Sequence, residues 1–115
     1  MTERIHLPDT KPCINHSFKI DGVKGYISVT THENKPVELF LTISKEGSTL
    51  AGFADAFAQV VSIALQYGVP VNVLQDKFID ARFAPMGTTT NSKIPTTTSI
   101  IDYVFRWIDL TFPSR

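Results

Sequence analysis

The chain holds 115 residues, 11 of them basic and 11 acidic, and 43% of them apolar. That length accommodates one domain with one sizeable core, and a formal net charge of zero excludes duplex nucleic acid or an anionic membrane as the bulk partner, since both are held by an excess of Lys and Arg. A single cysteine, Cys13, excludes an intrachain disulfide framework and suits a reducing compartment.

Residues 1–15 carry Pro8 and Pro12 among polar side chains and predict an extended arm. They lack the apolar stretch of a signal peptide, so the expectation is a cytoplasmic protein. Residues 17–20 alternate and stop at Asp21 and Gly22, a hairpin turn pair. Residues 25–32 are β-branched and aromatic, with Tyr26, Ser28, Thr30 and His32 on one face and Ile27, Val29 and Thr31 on the other. A break at residues 33–36 leads to residues 37–44, where Val37, Leu39, Leu41 and Ile43 alternate with polar side chains and Phe40. Short connections make the three runs an antiparallel meander.

Helical spacing begins after Gly47, with Ser48 or Thr49 as N-cap, and runs through residues 49–67 to Gly68, a C′ glycine. This helix carries one charge, Asp55, and is apolar nearly all round, which predicts burial on two sides. One reading makes it a subunit interface; the other has the sheet and the remaining helices enclose it. A second helix follows Pro70 to about residue 80, and residues 99–110 form the last, stopped by Pro113. Between them, residues 82–98 contain Pro85, Gly87, Pro95 and two triple-threonine runs. A connection this long without structure of its own is functional or disordered. The fold class is α+β: about three antiparallel strands packed by a long, a short and a C-terminal helix, in one domain spanning residues 1–115.

Candidate chemistry is sparse. Cys13 and His16 lack an orienting acid and an oxyanion frame. The spacing of His6, Cys13, His16 and His32 fits no zinc pattern, so neither metal nor cofactor is expected. Gly47 and Gly52 are five apart, but Phe53 and Ala54 stand where a phosphate loop needs Lys and Ser or Thr. Lys45, Gly47 and Ser48 nonetheless sit where a strand turns into a helix, a place that attracts an anion or simply caps the helix. Arg82 and Phe83 pair a guanidinium with an aromatic face, and Thr90 and Asn91 offer hydroxyl and amide groups. Their alternatives are structural: Phe83 fills the core, and Arg82 pairs with Asp80 or Asp76. Arg106 could grip a phosphate, or it could pair with Asp102 and Asp109 on its own helix face.

The segments KEGSTLAGFADAFAQVVSIALQYGVP, KFIDARFAPMGTTTN and TTSIIDYVFRWI closely resemble the C-terminal domain of the long adenosylcobalamin (vitamin B12)-dependent ribonucleotide reductases. HLPDTKP and HSFKIDGVKGYISV resemble the start of the same domain. The sequence departs from that family at Ala84, where an acid is usual, and at Ser92, where proline is usual. The resemblance implies an accessory domain rather than a reductase, since one cysteine cannot supply that chemistry. A looser, fold-level similarity is to viral Thoeris anti-defence sponges, oligomers that hold cyclic nucleotide signals without cleaving them. By that similarity Arg82, Phe83, Thr90, Asn91 and Arg106 would grip a base and its phosphates, with Lys45, Gly47 and Ser48 as a second anion site. The expected function is therefore a non-catalytic nucleotide binder. Its favoured form is a homo-oligomeric sponge for cyclic dinucleotide or cyclic ADP-ribose-type signals, associating through the residue 49–67 helix. The alternative is an accessory domain that docks on a reductase large subunit and binds (deoxy)nucleotides. A nucleotide hydrolase stands third, for want of a poised acid or base.

Overall fold

Three antiparallel strands, β1 (Cys13–Ile20), β2 (Val23–His32) and β3 (Lys35–Ile43), lie in the order β1-β2-β3. The computed structural model describes residues 3–44 and 49–112. Both hairpins turn on two residues: Asp21 and Gly22 at φ 48 and 81, Glu33 and Asn34 at φ 52 and 66. Two consecutive positive φ values give the primed turn whose twist matches the strands it joins. The second turn is shorter than the break expected from the sequence, and Lys35 and Pro36 belong to β3.

Alternation places Phe18, Ile20, Ile27, Val29, Leu39, Leu41 and Ile43 on one buried face. The pattern slips between Thr30 and Thr31, where the pairing with β3 shifts. Thr30 is thereby buried, its hydroxyl donating to Glu38 (3.0 Å), rather than simply displayed on the outer face. β1 also begins at Cys13, inside the expected arm. The remaining arm residues strap across the molecule, with the Ile5 amide donating to the Gln66 carbonyl (3.0 Å).

Helices α1 (Thr49–Gln66), α2 (Val71–Phe78) and α3 (Ile100–Thr111) cover the apolar face of the sheet. α1 ends in a Schellman closure: Gly68, at φ 98, donates to the Leu65 carbonyl and Val69 donates to that of Ala64. Phe57, Phe78 and Phe105 join the three helices, with ring centroids 5.3 Å (Phe57 to Phe78) and 5.7 Å (Phe78 to Phe105) apart. Burial of α1 is one-sided. Ala54, Ala58, Val61 and Leu65 face the core, whereas Phe53, Val60 and Ile63 are exposed. Complete enclosure by the sheet and the other helices, one of the two sequence readings, is thus ruled out. α1 is also the one helix among the described residues with the length and hydropathy to cross a membrane.

Each edge strand of the sheet is met by another element. On the β3 side, Ser62 of α1 accepts from the Leu39 amide (2.8 Å) and donates to the Leu39 carbonyl (3.0 Å). Gln66 donates to the Val37 carbonyl (3.1 Å). On the β1 side, the threonine-rich connection is ordered rather than structureless. Asp21 donates to the Thr88 carbonyl (2.9 Å), Thr90 donates to that of Lys19 (3.2 Å), and the Lys19 amide donates to the Thr90 hydroxyl (3.1 Å). The same connection folds back as a two-stranded ribbon, β4 (Gly87–Thr88) with β5 (Thr96–Thr97). Threonine suits both roles, being β-branched and able to bond through its hydroxyl.

Candidate functional site

The start of α3 organises the polar centre of the molecule. Ser99 caps the helix, accepting from the Asp102 amide (2.9 Å). Asp102 is buried, and its carboxylate accepts four hydrogen bonds. Oδ2 takes the Thr97 hydroxyl (2.5 Å) and the Thr98 amide (3.2 Å). Oδ1 takes the Asp80 amide (2.6 Å) and Arg106 Nε (2.8 Å). Burial alone would raise the Asp102 pKa; the Thr97 hydroxyl, the two amides and Arg106 outweigh it and hold it below the usual aspartate value.

Arg106 also donates through Nη2 to Asp80 Oδ1 (2.6 Å). The ion-pair alternative raised by the sequence is therefore present, with Asp80, at φ 75, completing a clamp. Burial disfavours the guanidinium charge, but the bond to Asp102 and the charges of Asp102 and Asp80 raise its pKa. Arg106, Lys93, residues 96–98, Asp102 and Asp109 line a cavity of about 670 Å3 whose apolar wall includes Ile79, Met86 and Leu110. The hollow thus sets two cationic side chains, Lys93 and Arg106, and two carboxylates, Asp102 and Asp109, beside an apolar wall.

The other candidate residues lie elsewhere in the subunit. Asn91 donates through Nδ2 to the Tyr103 hydroxyl (3.2 Å) and accepts the Lys93 amide at Oδ1 (3.0 Å). Thr90 is taken up by pairing with Lys19. Arg82 is exposed, and Asp80, considered as its partner, sits on Arg106 instead. Phe83 lines a separate apolar groove of about 490 Å3 with Leu41, Leu50, Phe53, Phe57 and Ile101. Lys45, Gly47 and Ser48 lie outside the described residues. The five candidates among the described residues therefore do not converge on one pocket of a single subunit.

A polar chain also runs through the interior. His16 Nε2 bonds to the Tyr103 hydroxyl (2.7 Å), and its ring stacks on Trp107 at 5.0 Å. Burial lowers the His16 pKa; burial also raises that of Tyr103, partly offset by the Asn91 bond. The sequence reading passed over this chain and the Asp102 hub. The hub carried a signal, since Ser99 followed three residues later by an acid is a capping pattern. His16 carried only its parity with Phe18 and Ile20. No group of three or more metal-ligating side chains occurs among the described residues.

Comparison with known proteins bears on this geometry. A family model described as "TSCPD domain" matches residues 3–112. A vitamin B12-dependent ribonucleotide reductase of Rhodopirellula baltica is 46% identical over 112 residues, covering 96% of this chain and 11% of that protein. The reductase of Streptantibioticus cattleyicolor is 43% identical over 110 residues, covering 95% of this chain and 18% of that protein. That of Bradyrhizobium diazoefficiens is 37% identical across the whole chain and 9% of its own length. The chain thus spans between about a tenth and a fifth of these relatives. No solved structure matches it. The chain belongs to the TSCPD domain family.

Proposed function

We propose that this domain is a non-catalytic accessory module of a vitamin B12-dependent ribonucleotide reductase, associating with the catalytic body and binding a (deoxy)nucleotide. One observation carries the reading: 46% identity across nearly the whole domain to a segment that is about a ninth of a reductase. It favours the accessory role over the free-standing sponge, which rested on fold-level similarity alone. The cavity at Arg106 and Lys93 supports nucleotide binding. Arg106 keeps Nη1 for a phosphate while Nε and Nη2 hold the two aspartates, and the Thr96 hydroxyl adds a neutral donor beside it, those of Thr97 and Thr98 being given to Asp102 and the Ala81 carbonyl.

Size-exclusion chromatography of the 115-residue chain with the reductase large subunit of the same genome tests the association. Co-migration is expected; separate elution at micromolar concentrations refutes it. Native mass spectrometry with linear (deoxy)nucleotides and cyclic dinucleotides tests the ligand. Retention of a linear (deoxy)nucleotide, lost in Arg106→Ala, is expected; retention of cyclic species alone returns the protein to the sponge reading.

A further inference from the structure

The sheet has one covered face and one bare one. The helices pack on the side of Ile27, Val29 and Leu39, and the opposite side shows Asn15, Ser17, Lys19, Lys24, Tyr26 and Phe40 to solvent. Two aromatic rings stand out on this polar surface: Tyr26 is 47% exposed and Phe40 53%. Tyr26 pairs with Thr42 and Ser28 with Phe40, so the two rings sit on a diagonal of adjacent strands. Diagonal neighbours lie about 7–8 Å apart, roughly twice the rise of about 3.4 Å per nucleotide in a stacked strand. Two bases drawn out of their stack can therefore each meet a ring.

The charges on this face are placed for an anion. Lys19 stands directly opposite Lys24. The Lys19 main chain turns away from β2 to bond Thr90, which makes this the kind of pair without mutual hydrogen bonds, its Cα atoms only about 4.5 Å apart. Like charges so placed repel, and among the described residues neither ammonium has an ion-pair partner. The nearby acids are engaged elsewhere: Glu38 takes Lys11 (3.6 Å) and the Thr30 hydroxyl (3.0 Å), and Asp21 lies against Gly87. A phosphate between the two lysines relieves their repulsion, and Lys24 is two residues from Tyr26 on the same strand and face. Asn15, whose Oδ1 accepts from the Ser28 hydroxyl, keeps its amide N–H groups for a base edge.

We propose that the open face of the sheet binds single-stranded nucleic acid, with Tyr26 and Phe40 stacking on two bases and Lys19 and Lys24 meeting the backbone phosphates. Every base has a π-face, so stacking on exposed rings needs no excess of positive charge over the whole chain. The formal charge of zero still counts against a duplex, whose binding is carried by phosphate contacts. A second copy of the same face would bring further lysines rather than the missing anion. The site lies across the sheet from α3 and its Arg106, and it does not depend on the reductase reading.

Fluorescence anisotropy of a fluorescein-labelled oligothymidylate of about ten nucleotides tests it, with the same strand annealed to its complement as the comparison. The unpaired strand is expected to bind the 115-residue chain with a Kd of about 100 μM or tighter at low salt, and the duplex at least about tenfold more weakly. Tyr26→Ala and Phe40→Ala are each expected to weaken binding at least about fivefold, the smallest factor for loss of one base–aromatic stack. With two phosphates neutralised, the logarithm of the association constant should fall with that of salt at a slope of about −1.4, reduced to about −0.7 in Lys24→Gln. That slope decides the matter even where an alanine variant loses the far-ultraviolet circular dichroism of the wild type. No binding by about 500 μM, equal affinity for the duplex, folded alanine variants of unchanged affinity, or a slope indifferent to Lys24→Gln each overturns the proposal. So does a chain that binds no strand but whose Tyr26→Ala variant loses a reductase subunit, which would assign the face to that partner.

Discussion

Replacing Asp102 is the sharpest test of how the polar centre holds together. In Asp102→Ala the Thr97 hydroxyl, the amides of Asp80 and Thr98, and Arg106 Nε lose their acceptor at once. Each buried donor left unmet costs about 1–3 kcal/mol, and three of the four are neutral donors held at the buried carboxylate, while Arg106, 39% exposed and still held by Asp80, adds little. A loss of about 3–5 kcal/mol is therefore expected, a fall in Tm of roughly 12 °C or more for a domain of this size. Asp102→Asn is expected to cost nearly as much, despite its matching shape. Each carboxylate oxygen receives two donors, so either orientation of the amide turns its own N–H groups on a pair of them. Arg106→Ala, which takes the charged partner from the buried Asp102 but leaves it three neutral donors, is expected to cost less, about 1–3 kcal/mol. Urea denaturation of the three variants gives the comparison. An Asp102→Asn protein within about 1 kcal/mol of wild type would refute the four-donor account. Because the folded Asp102 pKa lies below its unfolded value, its contribution is present above that unfolded value and fades as pH falls through the folded one.

Other perturbations test separate parts of the structure. His16 has a lowered pKa, so the unfolded chain binds the proton more readily, and stability should decline as pH falls from about 6.5 through the folded value. Thermal melts between pH 7.5 and 5 should show this slope in wild type and a flatter one in His16→Gln; identical slopes would remove His16 as the cause. Gly25→Ala should destabilise by about 1–3 kcal/mol, since its Cβ would lie 2.8 Å from both the Phe18 ring and the Thr42 carbonyl oxygen. An unchanged chemical-denaturation midpoint would show that Phe18 gives way freely. Ser62→Ala leaves the Leu39 amide and carbonyl without their side-chain partner, and a loss of about 1–3 kcal/mol is expected; hydrogen exchange at the Leu39 amide should accelerate with it.

The strands and helices were legible because their residues obey simple periods. Val37, Leu39, Leu41 and Ile43 alternate, and Ala54, Ala58, Val61 and Leu65 recur at helical spacing, so each element declares its buried face. What stayed hidden was polar and nonlocal. Ser62 and Gln66 look like gaps in the apolar stripe of α1 until β3 lies beside them with carbonyls to satisfy. The Thr88 and Thr90 pairing with β1 joins residues about seventy apart in sequence, and no local pattern encodes that register. Arg106 and Asp102 were visible as an i, i+4 pair, but the turn at Asp80 that swings its carboxylate onto Arg106 was not. The candidate site suffered most from this, because side chains chosen for their chemistry are positioned by contacts that spacing does not reveal.

The manner in which the β1 flank is sealed has a consequence for biosynthesis. The three-stranded meander is complete by Ile43, whereas the threonines that dock against Lys19 and Asp21 come about fifty residues later. At typical ribosomal speeds of about 5–20 residues per second, that interval lasts several seconds. During it the newborn hairpins display bare main-chain groups to any neighbouring nascent strand. A chaperone bound to the exposed β1 edge would protect that window, and yield on expression should respond accordingly.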